Sequence, residues 1–135
     1  MKFKPSLKWK PKRIKRRTLV DKLDEIVSLY IRKRDGKCVQ CGSTDRLTNG
    51  HLFPGRYQPL TWDIRTDGIC HTQCWPHNYK HVYHQADYYE WYIRKFGIER
   101  FLALKREYYG GTGKLSDKQL KTLYISVKEK YEKLP

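Results

Sequence analysis

The sequence predicts an α+β fold whose centre is a small zinc-stapled β-hairpin followed by a helix, with further helices toward both chain ends. Three observations support this prediction. Cysteine and histidine occur in pairs separated by two residues, turn-forming residues fill the middle of the chain, and apolar residues recur every three or four positions on either side of it. A two-residue separation lets both side chains of a pair reach one ion, so two such pairs can close a tetrahedral zinc site.

Composition limits how this fold is stabilised and what it can bind. Only 39% of the 135 residues are hydrophobic and the mean hydropathy is −0.87, so the core is small and a metal ion would help to stabilise it. The chain contains 29 Lys and Arg residues but only 14 Asp and Glu residues, a net charge of +15. Such an excess favours nucleic acid as the partner, because each phosphate contact releases condensed counterions.

Membrane insertion is not expected. No stretch approaches the roughly 18 consecutive apolar residues of a membrane-spanning helix. The basic N-terminus also lacks the apolar segment of a secretion signal. We therefore expect a cytoplasmic protein, in which cysteines at this spacing are more naturally metal ligands than disulfide partners.

Residues 1–17 are expected to form a basic flexible arm, and residues 18–135 a single zinc-containing domain. The arm contains two prolines and nine basic residues, which repel one another in the free chain. It is either a solvated tail or an arm that lies along phosphates, and Trp9 favours the second interpretation because its ring can stack on a base. The arm residues expected to contact phosphates are Lys10, Lys12, Arg13, Lys15, Arg16 and Arg17.

A helix is predicted over residues 18–34. Thr18 followed by Asp21 is a variant of the capping box that starts helices. The apolar residues that follow fall on one helical face, which is most simply core. Asp35 and Gly36 are turn formers that end the helix and lead into the first pair of metal ligands.

Residues 38–97 are predicted to form the hairpin and the helix that follows it. Two short strands are expected, at residues 47–53 and 69–73, joined by a long loop, and the chain is expected to turn helical beyond Asn78. An aromatic stripe on that helical stretch either packs on the hairpin or offers a stacking platform for bases. The stripe consists of Tyr88, Trp91, Tyr92 and Phe96.

Residues 98–135 are predicted to form C-terminal helices. Gly97, or Gly110 with Gly111, would separate successive helices. Ser116 is predicted to cap the last helix. The apolar face of that last helix could pack within the chain or serve as the interface of a homodimer.

The zinc ligands can be chosen from five residues. Cys38 and Cys41 form the first pair. The second pair is either Cys74 with His77 or Cys70 with Cys74, and we favour Cys74 with His77 because their spacing is the commoner one in zinc knuckles. Cys70 would then be a small buried strand residue. Four ligands leave no open position, so the zinc would be structural.

A second, catalytic site is predicted around His51. Cleavage of a phosphodiester needs a deprotonated water near pH 7 and a cation that offsets the growing negative charge. An imidazole titrates in the right range to be the base, although a lone histidine such as His51 is more often structural. The cation would be Mg²⁺ or Mn²⁺. Its candidate ligands are Asn78, His71, His81 and His84.

Short motifs between Cys38 and Asn78 follow one another in a specific order. They are Cys38-Val39-Gln40-Cys41-Gly42, Gly50-His51, Trp62-Asp63 with Arg65, His71-Thr72-Gln73-Cys74 and His77-Asn78. This string resembles the NinG/Rap family of lambdoid phage recombination nucleases, whose pattern is C-x-x-C-G, G-H, W-D-E-R and H-x-Q-C-x-x-C-N. The resemblance runs from the predicted helix at Thr18 to near Leu134.

The resemblance implies an HNH, or ββα-metal, endonuclease that acts in a bacterial host cell on branched DNA such as D-loops and Holliday-type junctions. A homodimer and partner recombination proteins are compatible with it. Two other functions remain compatible with the sequence. One is a zinc-dependent nucleic-acid-binding protein without catalysis, and the other is an HNH nickase of the packaging or homing type.

The resemblance also implies roles for individual residues. His51 stands at the position of the histidine that activates water, and Asn78 at the position of the asparagine that follows the last zinc ligand. His84 stands where the family often has an asparagine, and His81 competes with it because residues three apart share a helical face. Arg56, Arg65 and the N-terminal arm would grip the DNA backbone.

The chain departs from the family pattern at His77, and it differs from many other HNH enzymes at Gly50. His77 replaces a cysteine, which is acceptable because imidazole and thiolate interchange in zinc sites. Gly50 stands where many HNH enzymes have a metal ligand, although the NinG pattern shares this glycine. If the two strands pair, His71 could supply the missing ligand; the alternative is a plain core histidine.

Overall fold

The computed structural model describes residues 15–53, 59–111 and 113–135, and combines helices with one small antiparallel sheet. The mixed α and β composition predicted from the sequence is therefore confirmed. A short 3-10 turn at Leu60–Trp62 lies between the two strands in the chain. The elements are α1 (Arg16–Asp35), β1 (Leu47–His51), β2 (Cys70–Cys74), α2 (Trp75–Tyr83), α3 (Ala86–Phe96), α4 (Ile98–Gly110) and α5 (Asp117–Lys133).

Helix α1 begins at Arg16, two residues before the predicted start. The expected cap at Thr18 is wrong, since the N-cap position is Lys15 and no side chain caps the helix there. Arginine is a good helix former, and Arg16 also pairs with Asp117 of α5 at 3.0 Å, so the first turn extends into the arm. The predicted end is confirmed, because Gly36 adopts φ 72° and donates its N–H to the carbonyl of Arg32.

The two strands pair antiparallel, with Gly50 opposite His71 and His51 opposite Cys70. Strand β1 ends at His51 rather than at residue 53. The N–H of Leu52 still donates to the carbonyl of Ile69 at 2.7 Å, but Leu52 and Phe53 are both buried in the core. The hairpin hydrogen bonding thus continues one residue beyond β1, where the chain enters the core.

Helix α1 is fixed to one face of the hairpin through its last turn. Arg34 donates to the carbonyl of Cys70 at 3.0 Å, and Asp35 accepts the N–H of Thr72 at 2.8 Å. Burial alone would raise the pKa of Asp35, but the hydrogen bonds from Arg34 and Thr72 outweigh burial and hold this pKa below its usual value. A charged, hydrogen-bonded pair therefore joins α1 to β2.

Helix α3 covers the opposite face of the hairpin with the predicted aromatic stripe. Tyr88 and Tyr92 are fully buried, and the hydroxyl of Tyr88 donates to the carbonyl of Gly50 at 2.7 Å. Trp91 and Phe96 are partly buried and pack against the core, so the stripe packs on the hairpin, the first of the two predicted alternatives. Gly97, with φ 95°, separates α3 from α4 as expected.

Helix α5 packs its apolar face against α1 within the same chain. Ser116 forms the predicted cap and makes a full capping box with Gln119. Leu120 and Val127 are buried, so this face packs within the chain. Among the helices of the described segments, none has the length and apolarity that crossing a membrane would require.

Candidate metal centre and catalytic cleft

Four side chains meet beside the hairpin in a cluster that could hold a metal ion: Cys38, Cys41, Cys74 and His77. Their ligand atoms all lie within 4.8 Å of one another. Cys41 Sγ and Cys74 Sγ are 3.8 Å apart, and Cys38 Sγ is 3.7 Å from His77 Nδ1. Ligands about 2.3 Å from one ion at tetrahedral angles lie about 3.8 Å apart, so the spacing and the donor set both fit zinc.

The first ligand pair is held by a turn that docks on the hairpin. The N–H of Gly42 donates to the carbonyl of Cys38 at 2.9 Å, and Gly42 has φ 76°, a conformation that favours glycine. The N–H of Val39 donates to the carbonyl of Thr72 in β2 at 2.9 Å. The turn thus carries Cys38 and Cys41 to the end of β2.

The second pair is held where β2 passes directly into α2. Cys74 is the last residue of β2 and the N-cap of α2, and His77 lies in the first helical turn, with its Nδ1 3.2 Å from Cys74 Sγ. Helix α2 therefore begins three residues before Asn78, earlier than predicted. Cys70, the alternative ligand, is fully buried away from the cluster, and its thiol faces the carbonyl of Thr61 at 3.5 Å. Burial raises the pKa of Cys70 to about 12.

The thiols of the cluster differ in how readily they ionise. Burial would raise the pKa of Cys38, but the backbone N–H groups of Cys74, Gln40 and Cys41 hold it below its usual value. Burial and the neighbouring sulfurs raise the pKa of Cys74. Adjacent thiolates repel one another, and a bound dication would remove that penalty.

His51 lies at the end of β1 in an open cleft between β1 and α1. Its Nε2 lies 2.9 Å from the carbonyl oxygen of Thr61, and the ring is partly exposed. A carbonyl only accepts hydrogen bonds, so Nε2 carries the proton in the neutral ring and Nδ1 carries the lone pair. The cleft has a volume of about 350 Å³. An imidazole in this tautomer can accept a proton from water.

Five further residues with side-chain oxygens line the cleft of His51: Asp24, Ser28, Thr48, Asn49 and Thr61. Asp24 Oδ1 accepts a hydrogen bond from Trp62 Nε1 at 2.9 Å. Asn49 Oδ1 and Thr61 Oγ1 are buried and have no hydrogen-bond partner within the described segments. Sequence reasoning missed these residues, because Asp24 reaches the cleft from α1, and only the tertiary structure brings it beside β1.

His71 is enclosed on the other face of the hairpin. Its Nε2 lies 2.6 Å from the carbonyl oxygen of Gly68, and its ring contacts the aromatic stripe of α3, with the ring centroid of Trp91 4.9 Å away. Burial lowers the pKa of His71 to about 4. The structure therefore places His71 as a core histidine and gives no support to it as a second ligand beside Gly50.

The position beside Gly50 is instead filled by Gln73. A Cβ added to Gly50 would lie 2.0 Å from Gln73 Oε1. The amide of Gln73 is fully buried, and its Nε2 donates to Gln40 Oε1 at 2.5 Å. Glycine at this position makes room for the glutamine, which explains the glycine without a metal ion.

Asn78 and His81 lie on α2, and His84 is its C-cap residue. Asn78 Nδ2 donates to Thr48 Oγ1 at 2.9 Å. Residues 48 and 51 point to opposite faces of the strand, so Asn78 and His51 approach the hairpin from different sides. His81 is buried with its Nε2 2.8 Å from the carbonyl of Leu52, and burial lowers its pKa. His84 is exposed at the end of α2.

The structure describes only some of the residues that are predicted to contact DNA. Lys10, Lys12, Arg13 and Arg56 lie outside the described residues. Lys15 and Arg17 are exposed at the start of α1. Arg65 is bound to Asp63 at 2.9 Å and to Glu107 at 3.1 Å, and these partners raise its pKa. Its guanidinium thus supports the loop before β2.

Comparison with known protein families identifies the family of this chain. The family model described as NinG, bacteriophage lambda NinG protein, matches residues 2–135. The match spans the metal cluster, the His51 cleft and all five helices of the described segments. No curated protein and no solved structure gives a significant match.

Proposed function

Because this chain belongs to the bacteriophage lambda NinG family, we propose that it is a metal-dependent DNA endonuclease of the HNH type that prefers branched recombination intermediates. The observation that carries this proposal is the setting of His51. Its Nε2 donates to the Thr61 carbonyl at 2.9 Å, which orients the ring in an open cleft that His51 lines together with Asp24 and Asn49.

The proposed reaction begins with transfer of a proton from water to His51. The resulting hydroxide attacks the phosphorus in line with the 3′ oxygen, the P–O3′ bond breaks, and the 3′ oxygen takes a proton from water, so the products carry a 5′ phosphate and a 3′ hydroxyl. The Thr61 carbonyl holds the imidazole in the required tautomer and stabilises the ring when it becomes protonated. The order β1, β2, α2 also fits a ββα-metal core.

The Cys3His cluster would hold a structural zinc ion. Four protein ligands fill a tetrahedral site and leave no position for substrate. The ion would join the turn at Cys38 to the junction of β2 and α2, and so fix the hairpin that carries His51. Zinc would thus act on catalysis only through the fold.

A separate Mg²⁺ or Mn²⁺ ion would offset the charge that builds on the phosphate. Two sets of residues could hold it. The sequence predicts Asn78 with His84 or His81. The structure offers Asp24 and Asn49 as alternative ligands. We favour Asp24 and Asn49 because they share a cleft with His51, and the base and the cation must reach the same phosphate.

Cleavage of defined DNA substrates tests the proposed activity. The zinc-loaded protein is incubated with linear, nicked and four-way-junction DNA, with and without added Mg²⁺ or Mn²⁺, after dialysis rather than chelation so that zinc stays bound. We expect metal-dependent cleavage that is fastest on the junction. In His51→Ala the rate should fall by about 10²- to 10⁴-fold with DNA binding retained. Binding without cleavage under every metal would instead indicate a non-catalytic zinc-dependent DNA-binding protein.

A metal titration separates the two candidate ligand sets. The variants are Asp24→Asn, which keeps an oxygen acceptor for Trp62 Nε1 but removes the charge, and Asn78→Ala. The variant that removes a ligand should raise the Mg²⁺ concentration for half-maximal cleavage. An unchanged Mg²⁺ dependence in Asp24→Asn, together with a shift in Asn78→Ala, would favour the α2 residues.

A further inference from the structure

Helix α2 presents three aromatic rings to solvent. Trp75, Tyr79 and Tyr83 follow one another at intervals of four residues, so they lie in a row along one helical face. They are 50%, 54% and 67% exposed. We name these three residues the α2 aromatic row.

The rings of the α2 aromatic row contact one another rather than the core. Trp75 and Tyr79 are stacked, with centroids 5.2 Å apart and planes at 15°. Tyr79 and Tyr83 meet edge to face, with centroids 5.6 Å apart. The other side of α2 is occupied by His77 of the metal cluster, by Asn78 and by His81. The exposed row thus lies on the outer side of an anchored helix and does not contribute to the core.

Arg46 adds a cation to the first ring. Its guanidinium lies 5.8 Å from the centroid of the Trp75 ring. Arg46 has φ 47°, which residues other than glycine rarely adopt, and its carbonyl accepts the N–H of Trp75 at 2.8 Å. A sparsely populated backbone conformation thus places a positive charge at one end of the row.

We propose that the α2 aromatic row is a stacking site for unpaired bases of DNA. Contiguous exposed rings on a small protein mark a binding surface. Aromatic faces combined with arginine bind single-stranded nucleic acid, because every base has a π face. The net charge of +15 favours a nucleic acid over a protein as the occupant.

This inference rests on the proposed action on DNA and deepens it. Fully paired duplex keeps its bases stacked on each other, whereas a branch point has bases that can leave the stack. A row of rings beside the hairpin would bind those bases and so select branched over linear DNA. The selection would come from base stacking and not from a base sequence.

Binding measurements on single-stranded and duplex DNA test the inference. The probes are fluorescein-labelled oligonucleotides of about 20 nucleotides, longer than the roughly 4–16 that such sites cover. The protein is the zinc-loaded full chain with His51→Ala, without Mg²⁺, so that the DNA stays intact. Three variants are made in this background: the double variant Tyr79→Ala with Tyr83→Ala, the single variant Tyr79→Phe and the single variant Tyr79→Leu. The control is Ile125→Ala on α5, at a similarly exposed apolar residue.

Loss of the rings should weaken single-strand binding selectively. We expect the Kd of the double alanine variant to rise roughly 5- to 100-fold for single strands and less than about 2-fold for duplex. Tyr79→Phe, which keeps the ring, should bind as the parent does, and Tyr79→Leu should not. The salt dependence should keep its slope, because stacking releases no counterions. Zinc content and circular dichroism verify the fold of each variant.

Three outcomes would overturn the inference. Equal losses for single strand and duplex would mean that the rings contact DNA without selecting unpaired bases. Unchanged binding in the double alanine variant would remove the row from DNA binding. Wild-type binding by Tyr79→Leu, or a dimer that dissociates on ring removal, would indicate an apolar protein contact. Ring-dependent single-strand binding by a protein that never cleaves DNA would uphold this inference and refute the proposed nuclease.

Discussion

Two histidines on neighbouring positions of the hairpin show how the surroundings of a side chain decide its role. His51 is opposite Cys70, and His71 is opposite Gly50, so their rings leave opposite faces. Both have Nε2 near a backbone carbonyl, at 2.9 Å for His51 and 2.6 Å for His71. Both rings therefore make the same kind of hydrogen bond to the backbone.

The difference lies in what surrounds each ring. His51 lines an open cleft with polar side chains from α1, whereas His71 is enclosed by rings of α3 and loses its basicity to burial. A histidine can exchange protons with water only where water reaches it. One hairpin thus presents a face suited to chemistry and a face that stabilises the fold.

The largest effect is expected from removing the metal cluster, because both faces depend on the hairpin. Cys74→Ala should abolish tight zinc binding, and with it the pairing of β1 and β2, since structural zinc contributes about 10–16 kcal/mol of apparent binding free energy in small zinc domains. Zinc stoichiometry and amide exchange of strand residues measure the two losses. Cys70→Ala is the matched control and should retain one zinc ion; loss of zinc there would reassign the ligands.

Replacing each histidine with alanine in turn tests the comparison of the two hairpin faces. His51→Ala should reduce cleavage by about 10²- to 10⁴-fold and change the free energy of unfolding by less than about 0.5 kcal/mol. His71→Ala should reverse the pattern, lowering the free energy of unfolding by roughly 2–5 kcal/mol because it leaves a cavity among the aromatic rings. Cleavage rates on folded protein and denaturant titrations provide the two measurements. Similar stability losses in both variants would refute the division into two faces.

The cluster that could hold a metal ion was predictable because its geometry is local. A two-residue separation brings Cys38 and Cys41 together in one turn, and the same spacing places Cys74 and His77 at one helix start. The aromatic stripe of α3 and the cap at Ser116 were predictable for the same reason. Each depends on residues a few positions apart, where periodicity and capping rules apply.

The residues that surround His51 were not predictable, because their positions depend on which face of the hairpin each one occupies. The predicted partner His71 lies on the opposite face by strand register, and Asn78 reaches that face from α2, where it contacts Thr48. Asp24 came into the cleft through the packing of α1, which no local pattern encodes. The α2 aromatic row was visible as a spacing of four, but it was missed because the helix was expected to start after Asn78.

Protonation of His71 should make the free energy of unfolding depend on pH in the acid range. Its pKa is about 4 in the folded protein and near the ordinary 6.5 when unfolded, so the unfolded chain binds the proton first as the pH falls. Stability should be unaffected above pH 6.5, fall between pH 6.5 and 4 by about 3 kcal/mol in all, and then level off. Subtracting the curve of His71→Phe from that of the wild type isolates this term. A difference that does not vary with pH would show that His71 does not stay neutral in the core.

The smallest effect is expected at Gly50, where the two faces share a backbone. A methyl group there would enter the space of Gln73, whose Oε1 lies 2.0 Å from the added Cβ, so Gly50→Ala should destabilise the fold by about 1–3 kcal/mol. Gln73→Ala creates that space, so the double variant should be more stable than the sum of the two single changes predicts. Denaturant titrations of the four proteins measure this coupling. Strictly additive changes in the free energy of unfolding would show that Gln73 does not fill the position. Non-additive changes together with normal His51-dependent cleavage would show that one face can be repacked without disturbing the other.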